Sequence, residues 1–235
     1  MILSLFKVLH LFLTTLKYLL LSFIFPDSVI ALKQRWAQSL LRSLGYKIQR
    51  KGEPLIQNKL ILVGNHVSFL DILVIMAVHP EVVFVAKKEI KSWPIIGWAA
   101  RRIGTIFVNR NNKESRALTK VYLKNLFLNT KHSLNLVIFP SGTTLLVENK
   151  IWKKGIFEIA QETKTPIQPF FIDYNPLRPS AYIDDDHLLL KMMELFRLKN
   201  KTVTLHWGES FSCDDPILQT NTTRLWTLQE ALCQS

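Results

Sequence analysis

The sequence predicts an α/β fold: a single domain with a central, mostly parallel or mixed sheet flanked by helices. Three observations carry this expectation. From about residue 55 onward, short apolar runs of strand length alternate with longer segments of helical period. The runs are nearly continuous in apolar residues, as strands covered on both faces are. At 235 residues the chain suits one sizeable domain and leaves little room for a second. The first fifty residues differ in character, so the chain divides into a helical segment, residues 1–50, and an α/β domain, residues 51–235.

Within the N-terminal segment, residues 1–25 are almost continuously apolar, interrupted by Lys7, His10 and Lys17. As a helix this stretch runs about 37 Å at about 1.5 Å per residue, long enough to cross a bilayer. At about 100° per residue, Ser4, Lys7, His10, Thr14, Thr15, Lys17 and Ser22 gather within an arc of about 160°, which Leu3, Leu11 and Leu21 share. A helix lying in the membrane interface, its lysines near lipid phosphates, suits that pattern better than a perpendicular span. A true span and a secretory signal are the alternatives. Against the signal, Lys17 interrupts the apolar core and no small-x-small cleavage site follows. Pro26 and Asp27 end this helix, and a second, residues 28–44, mixes apolar side chains with Lys33, Arg35 and Arg42 before Gly45. Residues 1–51 hold eight lysines and arginines against one acid, giving +7 of the chain's formal +12. Basic residues beside so apolar a segment point to an anionic membrane surface as partner.

In the body, strands are expected at residues 60–64, 82–86, 105–108, 134–139, 166–172 and 202–207. Helices are expected between them at residues 70–78, 94–102, 114–129, 153–163 and 186–198. Open α/β sheets bind ligands beyond the carboxyl ends of their strands. His66, Arg110 and the turn Ser141-Gly142-Thr143 each follow such an end, so three turns can converge on one cleft.

Composition excludes several classes. Nothing resembles a zinc finger, an RNA-recognition motif or a helix-turn-helix reader, so the basic surplus does not read as nucleic-acid binding. Cys213 and Cys233 form neither a zinc pattern nor a disulfide framework. The run Asp184-Asp185-Asp186 reads as a solvated loop capping the next helix rather than a metal site. Trp93, Trp98 and Phe107, within a basic run from Lys87 to Arg110, read as core residues rather than lipid contacts.

Asn65-His66-Val67-Ser68-Phe69-Leu70-Asp71 follows the first body strand and enters a helix. An Asp one turn inside that helix can hydrogen-bond the histidine, hold one tautomer and stabilise the protonated ring, leaving the other nitrogen to take a proton from a hydroxyl. A capping or core-edge histidine shows the same spacing.

Four motifs in order are similar to those of the 1-acylglycerol-3-phosphate acyltransferase family. Asn65, His66 and Asp71 match Asn-His-x4-Asp, and Gly104-Thr105-Ile106-Phe107-Val108-Asn109-Arg110 matches Gly-x-x-Phe-x-x-Arg. Phe139-Pro140-Ser141-Gly142-Thr143-Thr144 partly matches Phe-Pro-Glu-Gly-Thr-Arg, and Thr165-Pro166-Ile167-Gln168-Pro169 matches a proline inside an apolar strand. Ala86-Lys87-Lys88-Glu89 and Lys154-Gly155 add to the likeness, which covers residues 60–175. The resemblance implies acyl transfer from coenzyme A or acyl carrier protein to a lysolipid hydroxyl, most simply 1-acylglycerol 3-phosphate, giving phosphatidate. It implies His66 as general base oriented by Asp71, with Gly104, Phe107, Arg110, Ser141, Gly142, Thr143, Thr144 and Pro166 at the substrate. Arg110 would hold an acceptor phosphate, and backbone N–H groups near Gly142 and Thr143 a phosphate or an oxyanion. It implies no cofactor beyond the thioester, no metal, and a membrane-associated protein at the cytoplasmic face of the inner or plasma membrane.

Two departures stand out: Ser141 replaces the family's usual Glu, and Thr144 its usual Arg. Losing a charge-assisted contact of about 1.5–3 kcal/mol weakens the hold on a phosphate headgroup. Lys153 and Lys154, or Arg101 and Arg102, are the candidates to compensate. A lysophospholipid with a larger headgroup or an amino-acid lyso-lipid is the alternative acceptor, and lipid binding without turnover the alternative of another class. A serine hydrolase using Ser141 lacks the Gly-x-Ser-x-Gly elbow.

Overall fold

The computed structural model describes residues 2–109, 113–129, 133–183 and 186–233. Helix α1, Ile2–Ile24, leads through a 3-10 turn, Pro26–Ser28, into α2, Val29–Leu44. Gly45 closes α2 in the left-handed region (φ 80°), its N–H turned back to the carbonyls of Arg42 and Leu41, a conformation only glycine adopts at little cost. There follow β1 (Tyr46–Lys51), β2 (Lys59–Gly64), α3 (Leu70–Val78), β3 (Val82–Lys87), α4 (Ile96–Arg102), β4 (Ile106–Val108) and α5 (Lys113–Leu128). The chain continues through β5 (Leu134–Ile138), α6 (Gly155–Thr163), β6 (Ile167–Asn175), α7 (Leu177–Ser180), α8 (Leu188–Leu195), β7 (Lys201–Trp207) and α9 (Pro216–Leu232).

The seven strands form one sheet in the order β1-β7-β6-β2-β5-β3-β4. Strands β6, β2, β5, β3 and β4 run parallel; β7 pairs antiparallel with β6 and parallel with β1, so the sheet is mixed. Alternation along β2 divides the core. Leu60 and Leu62 join α2 and α3 on one face, while Ile61 and Val63 join α5 and α6 on the other. The expected elements are present with ends shifted by a few residues. The structure adds β1, α7 and α9.

Three expectations need amendment. The division at residues 50/51 falls inside β1, whose six residues all pair with β7, so the sheet begins at Tyr46. The polar arc of α1 does not all face lipid headgroups: Thr14, Thr15 and Ser22 are buried with Val8, Leu11 and Leu19 against the protein. The Trp36 indole donates to Thr15 Oγ1 (3.1 Å), and the Arg102 guanidinium donates to Ser22 Oγ (3.1 Å). Leu9, Leu13, Leu20 and Phe23 are left exposed on the opposite side of a helix apolar and long enough to cross a membrane. Trp93 and Trp98 are exposed rather than buried in the core (41% and 56%), because α4 and the turn before it lie at the surface.

Candidate active site

The turn from β2 into α3 builds the centre. Gly64 ends β2 against Phe170, where an added Cβ would lie 2.4 Å from the ring and from the carbonyl oxygen. Asn65 then reaches across to β6. Its amide donates to Ile172 O and accepts from Ile172 N–H, both at 2.8 Å, which fixes where the chain leaves the sheet.

His66 and Asp71 meet as expected, with Nδ1 and Oδ2 2.7 Å apart. Asp71 is fully buried, and each described hydrogen bond of its carboxylate is with a donor. Oδ2 also accepts from Val67 N–H (2.8 Å) and Ser68 N–H (3.0 Å), and Oδ1 accepts from the Tyr174 hydroxyl (2.7 Å). A carboxylate so surrounded makes the imidazole carry its proton on Nδ1, leaving the lone pair on Nε2. The ring stacks on Phe139 (centroids 3.9 Å apart, planes at 12°) and keeps 19% of its side chain exposed, so it is held firmly yet reachable.

Tyr174 was not legible as a site residue. It lies 103 positions after Asp71, on the other side of β2 from β5, and only the β2–β6 pairing brings it near. Burial, with the Asp71 charge beside it, pushes its hydroxyl well above the usual tyrosine range and keeps it a neutral donor. Its ring meets Tyr46 edge-on at 5.9 Å, and the Tyr46 hydroxyl donates to Ser180 Oγ (2.6 Å).

The loop after β5 lies directly against His66, whose carbonyl accepts from Leu145 N–H at 2.7 Å. Ser141, Gly142, Thr143 and Thr144 therefore stand beside the dyad. Gly142, with φ 76°, donates its N–H to Phe139 O (3.0 Å), so that amide is committed to the turn rather than to a substrate. The Ser141 hydroxyl donates to Thr143 O (3.0 Å), which leaves it no proton for the imidazole in that position. Of the candidate bases, Lys153 stands over the turn: its Nζ is 2.7 Å from where a Gly142 Cβ would be. Lys154 pairs with Glu158 (3.2 Å), Arg101 bonds Lys91 O (2.9 Å) and Arg102 bonds helix α1, so these point elsewhere.

Gly104 turns the chain at φ 81° before β4, and Phe107 pairs with Ala86 on that edge strand, three strands from β2 or about 14 Å at a spacing of about 4.8 Å. Phe107 belongs to the same sheet as β2, but no described contact joins it or Gly104 to His66. Arg110 lies outside the described residues. Pro166 sits away from the centre, because its carbonyl accepts from Ile61 N–H near the start of β2 while His66 follows the end of that strand. It lines an open groove with Lys59, Phe127 and Lys164. Asp184 and Asp185 also lie outside the described residues. Asp186 pairs with Arg178 (2.9 Å) and accepts from Ile183 N–H rather than capping α8.

The family model for acyltransferases matches residues 47–173. A lyso-ornithine lipid O-acyltransferase of Pseudomonas aeruginosa is 32% identical over 178 residues, covering 72% of this chain and 67% of that one. Its counterpart in Rhizobium meliloti is 29% identical over 201 residues, 78% of this chain and 68% of that one. A 1-acyl-sn-glycerol-3-phosphate acyltransferase of Neisseria meningitidis is 43% identical over 88 residues, 37% of this chain and 32% of that one. Among solved structures, the 1-acyl-sn-glycerophosphate acyltransferase of Thermotoga maritima superposes with a TM-score of 0.66 over 95% of both chains at 18% identity, a likeness of fold.

Proposed function

The chain belongs to the acyltransferase family, and from that premise we propose that it moves an acyl group from a thioester, acyl-coenzyme A or acyl carrier protein, onto the hydroxyl of a lysolipid. The observation that carries this is the buried, four-donor Asp71 holding His66 Nδ1 at 2.7 Å beneath a partly exposed ring. Nε2 takes the proton of the acceptor hydroxyl as its oxygen attacks the thioester carbonyl. The C–O bond forms, the C–S bond breaks, and the imidazolium returns the proton to the leaving thiolate. Asp71 stabilises the imidazolium in between. General-base help of this kind contributes about 10²–10⁴-fold. No enzyme-bound acyl group is needed, since the acceptor is itself the nucleophile. In this reading the Thr143 and Thr144 side chains and Lys153, all of the same loop, meet a headgroup anion. The scheme calls on no cofactor beyond the thioester.

The protein works at an anionic membrane surface in this reading, at the cytoplasmic face. The exposed stripe Leu9, Leu13, Leu20 and Phe23 supplies apolar area, and the seven net positive charges of residues 1–51 supply attraction. For the acceptor, the motif set favours 1-acylglycerol 3-phosphate. One observation favours a second reading, an amino-acid lyso-lipid: Thr144 stands where a phosphate-binding arginine is usual, and the two long matches above are to lyso-ornithine lipid enzymes. Purified protein in detergent, given a labelled acyl thioester and a panel of lysolipids beside a His66→Ala control, decides. Acylated lysophosphatidate supports the first acceptor, and acylated lyso-ornithine lipid alone supports the second. Thioester loss without acceptor would mean hydrolysis. Lipid binding with no turnover in wild type would overturn the catalytic reading.

A further inference from the structure

Glu148 has no part in the scheme above, yet it is a carboxylate only 6% exposed, within the loop that covers the dyad. It is ringed by donors. The Trp152 indole N–H donates to Oε1 at 2.9 Å, and the Ser141 hydroxyl and the His66 backbone N–H lie beside the carboxylate and favour its charged form, against burial. The Ser141 proton serves either Glu148 or Thr143 O, one at a time. Indole and peptide N–H groups only donate, so two of the three neighbours suit a carboxylate acceptor.

The His66 peptide is thereby gripped at both ends by one loop: its carbonyl accepts from Leu145 N–H at 2.7 Å, and its N–H faces Glu148. The loop is anchored in turn. Lys153 N–H bonds Pro140 O (3.1 Å), and the Arg224 guanidinium of α9 donates to Glu148 O (2.9 Å). A carboxylate is also what the third motif lacks at position 141, and the Ser141 hydroxyl, while bonded to Thr143 O, lies beside Glu148.

We propose that Glu148 is a positioning residue of the active site, supplying from the far side of its loop the carboxylate absent at position 141 and clamping that loop onto the His66 main chain. The inference rests on the acyl-transfer reading for its kinetic consequence but not for the clamp. Without the clamp, the ring and the loop donors drift relative to each other. A misplacement of about 1 Å between reacting groups costs on the order of 10²-fold in rate.

The test uses the full-length protein in detergent. Glu148→Gln keeps the size and removes the charge. The exchange pair Ser141→Glu with Glu148→Ser returns a carboxylate to the same space from the other side at equal volume. Hydrogen–deuterium exchange of peptides covering residues 64–68 and 140–152 reads the clamp without any activity, and steady-state kinetics read its consequence. Glu148→Gln is expected to exchange faster in those two peptides only, and to lower kcat by about 10²-fold with KM for the acceptor within about threefold. The exchange pair is expected to recover at least tenfold over either of its single substitutions. Unchanged exchange in Glu148→Gln, a loss confined to KM, or an exchange pair no better than the singles would overturn the proposal. Should Glu148→Gln fail to fold, the exchange pair against its two singles decides. Wild-type protein inactive on every lysolipid would overturn the acyl-transfer reading, while local exchange still decides the clamp.

Discussion

Asp71→Asn separates the charge of the dyad from its geometry. In the native site Oδ2 gathers His66 Nδ1, Val67 N–H and Ser68 N–H, while Oδ1 meets only the Tyr174 hydroxyl. An asparagine can place its carbonyl at the Oδ2 position and its NH2 toward Tyr174, because a phenol hydroxyl accepts as well as donates. The imidazole then keeps the proton on Nδ1 and the fold is retained. What disappears is the negative charge facing the imidazolium. Two unit charges about 4 Å apart at an effective dielectric of about 20 attract by about 4 kcal/mol. At about 1.36 kcal/mol per decade that is about a thousandfold in rate. Release of free thiol from the acyl thioester, followed at saturating lysolipid, measures kcat, and a thermal melt in the same detergent checks the fold. The expected result is a kcat about 10³-fold lower with a melting temperature within a few degrees. A folded Asp71→Asn protein keeping more than a tenth of the native rate would refute the reasoning.

Further outcomes follow from the same contacts. Tyr174→Phe removes one donor from a buried carboxylate and is expected to lower stability by about 1.5–3 kcal/mol in chemical denaturation, while Nδ1 and Oδ2 still meet. Lys33, buried with its ammonium on Val82 O (2.7 Å), has its pKa lowered to about 8 chiefly by burial, with Glu81 opposing. Between pH 8 and 10 the unfolded chain holds that proton and the folded one does not, so stability rises with pH, by about 2–3 kcal/mol for this group. Lys33→Met is expected to flatten that rise relative to native protein, and parallel denaturation curves at pH 8 and 10 would argue against it. Leu13→Ser with Leu20→Ser, both on the outward face of α1, is expected to cut sedimentation with anionic vesicles by at least tenfold and leave turnover of a detergent-dispersed acceptor unchanged.

Local pattern carried much of this protein. The run Leu60-Ile61-Leu62-Val63 declared a strand covered on both faces, and the spacing of His66 and Asp71 across a strand-to-helix turn allowed the contact the structure shows, because period and spacing are properties of neighbouring residues. Elements that hide their burial did not declare themselves. In β1, Tyr46–Lys51, only Tyr46 is buried, and basic side chains fill an edge strand held by β7. Helix α9 packs through Thr220, Thr223 and Thr227 while Leu218 and Leu225 face outward, inverting the usual apolar stripe. On α1, Thr15 and Ser22, which a helical wheel sends to the lipid headgroups, turn inward, because Trp36 and Arg102 respectively offer them partners.

The site divides the same way. Residues 65–71 contain their own instructions, since a histidine and an aspartate five positions apart need only a turn between them to meet. The support of Asp71 by Tyr174, the gripping of the His66 peptide by Leu145, and the distance of Pro166 from the centre arise from strand order and register. Those are settled by how the whole sheet packs, and contacts spanning about a hundred positions leave no mark on either segment alone.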